Sequence, residues 1–337
     1  MHVDQQALDD AVAKRAFSGV VAVDAGDRRT LERCEGFLHR GLGVPMTADA
    51  RIAIASGSKA FTALAVMRLV EEGALRLDQP VRPMLGTELP LIDDGVTIEQ
   101  LLSHTSGIGD YLDEDADWEP ADYVLTVPPH ALTSAEAFLP MLEGHPQKFA
   151  PGERFSYCNG GYMVLALLLE RATGETYHDA VRRLVLAPAG LDATGFLPLN
   201  ALPADAAPGY LHAEGDLVNT LHLPVLGTGD GGAFSTAADL HRFWLALLDG
   251  RIVSRESVEA MTRPRHDVPD EGLRYGMGFW LHPRHRALVL EGYDAGASFR
   301  STHIVETRTT VSVLGNTSEG AWPVIRVLAD AIDAELG

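Results

Sequence analysis

The sequence has few cysteines, few cationic side chains and no long apolar run. Its 337 residues include 2 cysteines, too few for the disulfide framework of a secreted domain. The 27 lysines and arginines stand against 47 aspartates and glutamates, so the net charge is −20. A surface of that sign repels polyanions, which argues against nucleic acid or an anionic membrane as a partner. No segment approaches the ~20 apolar residues that a membrane-spanning helix needs.

The start of the chain also lacks the pattern of an export signal. The segment MHVDQQALDDAVAKRAFSG contains several acids and no apolar stretch of signal-peptide length. We therefore expect a cytoplasmic protein. Such a protein would not meet substrates that lie in the cell wall. What is present is the composition of a globular protein, with 46% apolar and 22% charged residues.

A serine and a lysine lie one helical turn apart in the segment IASGSKAFTALAVMRLVEEG. A serine hydroxyl is a weak nucleophile until a base lies within hydrogen-bond reach, and residues three apart in a helix share a face. Ser56 and Lys59 therefore predict the nucleophile and the activator of a covalent serine hydrolase. Ser56 is also a favourable N-cap for the apolar helix that ends at Gly73, and by itself such a pattern is usually only a cap.

A second polar group follows about a hundred residues later in PGERFSYCNGGY. Tyr157 and Asn159 precede an apolar helix predicted from Tyr162 to Thr173. Beside a lysine ammonium a tyrosine hydroxyl can have a lowered pKa, and it can then shuttle the serine proton. Asn159 offers a donor and an acceptor to a substrate amide or to the lysine. Alone, this segment would be interpreted as a turn with an aromatic plug.

Motifs for other chemistries are incomplete. The segment GTGDGG, Gly227 to Gly232, fits GxGxxG, but it does not follow the first strand of a βαβ unit as a dinucleotide fingerprint does. The GxSxG elbow of α/β-hydrolases does not occur. The sequence therefore predicts no cofactor.

Metal binding is not predicted either. His282 and His285 flank a proline at a strand end rather than lying on a ligand-bearing helix. The acidic run from Asp110 to Pro120 lacks the glycine that calcium loops require. We interpret this run as a solvated loop, and its position directly after HTSG adds the hypothesis that Tyr111 and Trp118 line the pocket as a lid.

These segments resemble the penicillin-recognising serine hydrolases of the class C β-lactamase type. That group also holds DD-peptidases, D-amino-acid hydrolases and β-lactamase-like carboxylesterases. Further matches in the same order are LLSHTSGIGDY, LAPAGLDATGF, DGGAFSTAADLHRFWLALLDG and YGMGFWL, so the resemblance covers almost the whole chain. It implies that Ser56 is the nucleophile, Lys59 its partner base, Tyr157 the general base and proton shuttle, and Asn159 a substrate contact.

The third motif of that family is where the sequence departs. Relatives carry KTG or HxG on an inner strand, where the basic residue meets the substrate carboxylate and a backbone N–H completes the oxyanion hole. The corresponding segment here is LEGYDAGASFRS. One register places Tyr293, Asp294 and Ala295 on the motif, and the other shifts it by one residue to Gly292. Neither register supplies a lysine or a histidine.

The backbone contribution of this motif can survive without the basic residue. It needs only a strand edge with small residues, so Ala295 or Gly296 is expected to provide the N–H. Arg300 either replaces the missing cation or is a solvated strand residue, and we favour the second interpretation.

The pattern of elements and the resemblance together predict an α/β fold of the class C β-lactamase type. An antiparallel sheet formed by both chain termini is flanked by helices, and a mainly helical lobe is inserted. The expected single catalytic domain, residues 1–337, has a sheet lobe of residues 1–55 and 270–337 and a helical lobe of residues 56–269. The predicted terminal helices run from Gln5 to Lys14 and from Trp322 to Glu335. The predicted terminal strands are SGVVAVDA from Ser18, then Leu31 to Leu38, Tyr275 to Leu281, Ala287 to Glu291, Ser298 to Val305 and Thr309 to Leu314.

The functional expectation is a cofactor-free serine hydrolase that cleaves an ester or amide of a small molecule through an acyl-Ser56 intermediate. Esterase-like activity is the leading form. A D-amino-acid amidase or peptidase, or weak β-lactamase activity, is the nearest alternative. A non-catalytic ligand-sensing module with the same fold is the alternative of another class, and the oligomeric state is left open.

Overall fold

A computed structural model describes residues 1–114 and 123–337 of the protein. The helices are α1 (Gln5–Lys14), α2 (Lys59–Glu71), α3 (Arg82–Leu85), α4 (Ile98–Leu102), α5 (Leu139–Leu142), α6 (Asn159–Thr173), α7 (Tyr177–Val181), α8 (Ala187–Ala189), α9 (Ala237–Leu248), α10 (Arg255–Met261) and α11 (Trp322–Leu336). The strands are β1 (Gly19–Ala25), β2 (Arg28–Glu35), β3 (Phe37–His39), β4 (Val44–Pro45), β5 (Ile52–Ala53), β6 (Gly195–Phe196), β7 (Ala233–Ser235), β8 (His266–Val268), β9 (Leu273–Tyr275), β10 (Trp280–Leu281), β11 (Ala287–Asp294), β12 (Ala297–Ile304) and β13 (Thr309–Gly315).

The two ends of the chain form one antiparallel sheet. Its strand order is β2-β1-β13-β12-β11-β10-β9-β8, and β1 pairs with β13 from Gly19 opposite Gly315 to Ala25 opposite Thr309. Helices α1 and α11 contact each other and cover one face, where apolar side chains of both helices and of the sheet form a continuous core. The predicted fold class is therefore confirmed.

The other face of the sheet packs against the helical part of the chain. Phe61 of α2, Leu165 of α6, Trp244 of α9 and Phe299 of β12 all belong to one large core and are fully buried. Helix α2 is apolar around nearly its whole circumference, which is typical of a helix enclosed by other elements. The apolar helix predicted after Ser56 is therefore a buried helix at the centre of the core.

Two predicted strands are interrupted by glycines with positive φ. Gly36 separates β2 from β3, and its φ is 70°. Glycine is needed there because a side chain would collide with Ser18. Gly278 has φ 81° in the turn between β9 and β10, where an added Cβ would lie 2.3 Å from the Cβ of Ala63 in α2. The sheet also begins earlier than residue 270, since β8 is part of it. Within residues 1–114 and 123–337, no helix is both long and apolar enough to cross a bilayer.

Candidate active site

Ser56 lies in a tight 3-10 turn, Ala55–Ser58, that leads into α2. It is not the N-cap of that helix, as the sequence suggested, because α2 begins at Lys59 and Ser58 holds the capping position. The Ser58 hydroxyl donates to the Ala55 carbonyl at 2.7 Å and accepts from the backbone N–H of Ala233 at 2.9 Å. Ala55 has φ 43°, an uncommon conformation for a residue with a side chain. Ser58 therefore makes the structural hydrogen bonds of the turn, and the Ser56 hydroxyl can bond to Lys59.

The ammonium group of Lys59 joins three parts of the chain. Its Nζ donates to Ser56 Oγ at 2.9 Å, to Asn159 Oδ1 at 2.7 Å and to the Asp230 carbonyl at 2.6 Å. Three acceptors match the three donors of an ammonium group, so this buried lysine is held in one position. The predicted pairing of Ser56 and Lys59 within hydrogen-bond reach is present in the structure.

Tyr157 lies against the same lysine but is not the low-pKa phenol that the sequence suggested. Lys59 Nζ is 4.9 Å from the centroid of the Tyr157 ring, a cation–π contact. Burial raises the pKa of Tyr157 well above its usual range, the charge of Glu114 adds to this, and a hydrogen bond with Ser56 opposes it only in part. Desolvation of the phenolate outweighs the nearby ammonium. Tyr157 therefore rests as a neutral phenol.

Asn159 is fixed by acceptors and donors on both sides. Its carbonyl faces Lys59, while its Nδ2 donates to the Leu112 carbonyl at 3.1 Å and to Glu114 Oε1 at 2.8 Å. Asp110 accepts from the backbone N–H groups of Asn159 and Gly160 at the start of α6, and burial raises the pKa of its carboxyl to about 7. Asp110 orients this turn, and sequence reasoning did not identify it.

His104 supports the same turn as a structural residue. Its Nδ1 accepts from the backbone N–H of Cys158 at 3.0 Å, and its ring lies 4.3 Å from that of Tyr157. Burial lowers the pKa of His104 well below its usual value, so the ring is neutral and Nδ1 can act as an acceptor. The side chain thereby positions both Tyr157 and Asn159.

The glycine-rich segment from Gly227 to Gly232 is a wall of this site. The Asp230 carbonyl accepts from Lys59, and the Gly229 carbonyl accepts from Thr62 of α2 at 2.6 Å. A Cβ on Gly229 would lie 2.3 Å from the Tyr162 carbonyl. The glycines therefore allow this loop to approach α2 and α6 closely.

The third motif lies at the end of β11, in a register that the sequence did not predict. A Cβ on Gly292 would lie 2.2 Å from the Ile54 carbonyl and 2.9 Å from the Ser56 nitrogen, so Gly292 is the residue that packs against the nucleophile turn. Leu290, which is buried, shares its face of the strand. In the family motif the basic residue lies two positions before the glycine, and Leu290 occupies that position here.

Ala295 and Gly296 form the turn between β11 and β12, so the expectation that they supply an oxyanion N–H is wrong. The Ala295 N–H donates to Asp294 Oδ1, and the Gly296 N–H donates to Ser318 Oγ, both at 2.8 Å. The N–H groups of β11 alternate in direction, and Val289 pairs with Trp280 of β10. The N–H of Tyr293 therefore points to the β10 side, past the end of that short strand, and Tyr293 lines the same cavity as Ser56.

Arg300 is neither a solvated side chain nor a replacement for the missing cation. It lies directly across from Glu291 in the β11–β12 pair and forms an ion pair with that carboxylate. The side chains are 22% and 14% exposed, so both charges are largely shielded from solvent. The positive charge of Arg300 is used within the sheet.

Comparison with known proteins places this geometry in a family. The family model described as Beta-lactamase matches residues 5–332. The chain belongs to the β-lactamase family. It is 30% identical over 325 residues to Penicillin-binding protein 4* of Bacillus subtilis (strain 168), covering 91% of this chain and 69% of that protein. It is 36% identical over 206 residues to Esterase EstB of Burkholderia gladioli, covering 56% of this chain and 50% of that protein.

Solved structures agree with this assignment. The penicillin binding protein from Bacillus halodurans superposes with a TM-score of 0.89 at 33% identity, over 96% of this chain and 99% of that chain. The protein is thus a serine hydrolase of the β-lactamase fold. The curated relatives are longer, and the chain spans 50% of the esterase and 69% of the penicillin-binding protein.

The cavity beside Ser56 adds acidic residues that the sequence did not reveal as a group. Glu114 and Asp230 line it together with Asp294 of the third motif. Tyr111 also lines it and donates from its hydroxyl to Asp230 Oδ2, whereas Trp118, the other residue expected in a lid, lies outside the described residues. Among residues 1–114 and 123–337, no group of three or more His, Cys, Asp or Glu side chains could hold a metal ion.

Proposed function

We propose that this serine hydrolase cleaves small carboxylic esters through an acyl-Ser56 intermediate, with Lys59 and Tyr157 moving the protons. The observation that carries the proposal is the Lys59 Nζ group, 2.9 Å from Ser56 Oγ and held there by Asn159 and the Asp230 carbonyl. A nucleophile with a base at hydrogen-bond distance, oriented by further groups, is the general arrangement of covalent hydrolases.

The chemistry follows from these positions. For the attack of Ser56 Oγ on the substrate carbonyl, Lys59 must be present as the neutral amine, which takes the Ser56 proton. As the tetrahedral intermediate expels the leaving group, Tyr157 gives its proton to that group and recovers one from the Lys59 ammonium. The neutral Tyr157 phenol is suited to donate a proton to that leaving group, because its raised pKa keeps the proton in place until a base develops. Water then releases the acyl group by the same steps in reverse.

The oxyanion is proposed to lie between two backbone N–H groups, those of Ser56 and Tyr293. Gly292 allows this because its missing side chain permits the strand to approach the nucleophile turn. Preorganised backbone donors of this kind are usually the largest single contribution to such reactions. Ala295 and Gly296 have no place in this scheme, since their N–H groups are donated elsewhere.

Esters are preferred over carboxylate-bearing β-lactams for a reason of charge. The third motif presents Leu290 and Gly292 where relatives carry a basic residue and a glycine, and Arg300 is paired with Glu291. The similarity to an esterase over about half of this chain agrees with that preference. Amides, as in a D-amino-acid amidase or peptidase, are the second candidate class, because Tyr157 can donate the proton that an amine leaving group requires.

We also propose that the substrate is a small molecule, because the nucleophile opens into a cavity with apolar walls rather than onto a flat surface. The net charge of −20 argues against nucleic acid. A cytoplasmic location is supported by the two cysteines, which are not joined in a disulfide.

The test is replacement of the nucleophile together with a probe that needs no substrate. Ser56→Ala should abolish turnover of nitrophenyl esters and labelling by a fluorophosphonate. Ser58→Ala is the matched control, since it removes two structural hydrogen bonds and should lower stability by about 1–3 kcal/mol while labelling persists. Wild-type labelling of a folded Ser56→Ala protein would overturn the proposal.

A further inference from the structure

The cavity that contains Ser56 is strongly asymmetric in charge. Its described walls contain the carboxylates Glu114, Asp230 and Asp294, and no lysine or arginine is among those described lining residues. Lys59 is the nearest cation, but its three hydrogen bonds go to a hydroxyl, an amide and a backbone carbonyl rather than to a carboxylate. Three acidic groups therefore face one ammonium.

The three carboxylates differ in how far the protein satisfies them. Asp230 accepts from the Tyr111 hydroxyl, and Glu114 accepts from Asn159 Nδ2 at 2.8 Å. Asp294 accepts only from the backbone N–H of the next residue, through Oδ1. Within the described part of the chain its Oδ2 has no hydrogen-bond partner. Asp294 is half-buried in the cavity wall, so this oxygen is open to a cation or donor of a bound ligand.

The direction of the Asp294 side chain places it in the reaction space. Asp294 and Gly292 lie two residues apart on β11, and alternate residues of a strand share a face. The Gly292 face is the one that packs against the Ser56 nitrogen. Asp294 therefore lies on the face of β11 that is turned toward the nucleophile turn, and it lines the cavity together with Ser56.

The rest of the wall makes the charge effective. Side chains of Leu112, Leu125, Leu223 and Phe234 line the same cavity, so the carboxylates are only partly surrounded by water. Burial raises the pKa of Asp294 to about 7, and the charges of Asp230 and Glu114 add to this while Lys59 opposes it. Burial likewise raises the pKa of Asp230, whereas the Glu114 side chain is exposed to solvent. An incoming cation would reverse each of these unfavourable effects.

We propose that the preferred substrates of this site carry a cationic nitrogen, and that Asp294, assisted by Glu114, is the specificity-determining residue that binds it. This inference rests on the proposed function, because it takes Ser56 as the reacting group. It narrows the substrate class from neutral esters to esters with an ammonium group in the acyl or the leaving half. Asp294 binds the cationic group of the substrate and takes no part in the chemical step.

The experiment compares substrates that differ only in charge. One pair places the charge in the acyl group, as nitrophenyl esters of 4-(trimethylammonio)butanoate and 5,5-dimethylhexanoate. The other pair places it in the leaving group, as acetylthiocholine and 3,3-dimethylbutyl thioacetate. The trimethylammonium and tert-butyl groups have the same shape, so the ratio of kcat/KM within a pair isolates the charge. We expect the cationic member to be favoured at least about tenfold in one pair.

The variants attribute that preference to a residue. Asp294→Asn keeps the Oδ1 acceptor of the turn, and Glu114→Gln keeps the acceptor of Asn159, so both retain the hydrogen bonds described above. The cationic-to-neutral ratio should fall severalfold in Asp294→Asn and less in Glu114→Gln. Asp192→Asn, an exposed carboxylate outside the cavity, should leave the ratio unchanged and so excludes attraction by the overall charge of −20.

The outcomes separate the two proposals. If fluorophosphonate labels Ser56 and neutral esters turn over, but neither pair shows a cationic preference, the inference about charge is wrong and the proposed function stands. A preference that persists in Asp294→Asn overturns the role of that residue. If Ser56 is neither labelled nor required for turnover, the proposed function itself fails.

Discussion

The two sides of Ser56 contribute to the site in different ways. On the helical side, Lys59 and Asn159 have side chains whose polar groups are all hydrogen-bonded. On the sheet side, Gly292 allows a close approach because it has no side chain, and Tyr293 is proposed to supply a backbone N–H. Chemistry carried by side chains restricts residue type, whereas chemistry carried by the backbone does not. The sheet side can therefore depart from the family motif while the helical side retains it.

The largest effect is expected on the helical side. Lys59→Ala and Tyr157→Phe should each lower kcat by about 10²- to 10⁴-fold, because both remove a group that moves a proton. The double variant should lose much less than the product of the two, since groups acting in one proton transfer are not additive. Steady-state kinetics with one alkyl ester, whose leaving group needs a proton, measure all three variants.

The leaving group distinguishes the role of Tyr157 from that of Lys59. If the phenol protonates the leaving group, Tyr157→Phe should lose less activity toward a nitrophenyl ester, whose leaving group needs no proton, than toward an alkyl ester. Lys59→Ala should lose activity equally toward both. If Tyr157→Phe loses as much activity toward the nitrophenyl ester as toward the alkyl ester, Tyr157 acts in the attack step instead.

A second prediction concerns the charge of the sheet side. Relatives meet the substrate carboxylate with a basic residue, and loss of a charged hydrogen-bond partner costs ~1.5–3 kcal/mol. The acids of this cavity add repulsion, so kcat/KM for a neutral nitrophenyl ester should exceed that for a cephalosporin by at least about a hundredfold. The methyl ester of the same cephalosporin is the control, and it should be hydrolysed faster than the free acid. Efficient hydrolysis of the free acid would show that a cation reaches the site after all.

The third prediction tests the register at Gly292. An added Cβ would lie 2.2 Å from the Ile54 carbonyl, so Gly292→Ala must shift either β11 or the nucleophile turn. A displacement of about 1 Å in a catalytic arrangement can lower the rate by up to about a hundredfold. Ala295→Gly, at the position that one of the two sequence registers placed on the motif, should change the rate little. The reverse order of effects would restore that register.

The sequence predicted what depends on local signals. Helix α1 has the predicted bounds, and α6 ends at Gly174, whose φ of 69° is that of a left-handed helix cap. The pairing of Ser56 with Lys59 also follows from spacing within one turn. Each of these features is determined by residues close together in the chain.

Features that depend on distant parts of the chain were not predictable. Asp110 holds the start of α6 across about fifty residues of sequence, and no local pattern marks it. The breaks at Gly36 and Gly278 lie where the backbone has a positive φ and passes so close to another element that only glycine fits. The pKa of Tyr157 was predicted in the wrong direction because burial and Glu114 outweigh Lys59, and neither is visible in the segment that contains the tyrosine.

The smallest effect concerns stability in acid, where each side of the molecule holds one buried neutral histidine. His104 supports the helical side, and His303 lies in β12, where its Nδ1 bonds to the Thr310 hydroxyl at 2.8 Å. Burial lowers the pKa of His303 to about 3, and nearby His241 contributes in the same direction. Burial lowers the pKa of His104 likewise.

The sign of the pH effect follows from these shifts. The unfolded chain binds a proton at each histidine near pH 6.5, but the folded protein does not, so stability is present above that pH and is lost as the pH falls. Between pH 7 and pH 5 the loss from His303 is about 2 kcal/mol. His303→Asn keeps a hydrogen-bonding group near the Nδ1 position and removes the titration, so its urea unfolding free energy should change by that much less over the same interval. His104→Asn should shift the slope in the same direction, and His130→Asn, an exposed control, should not. An unchanged slope in His303→Asn would mean that this ring accepts a proton without unfolding, and that the sheet side tolerates charge where its packing indicates that it does not.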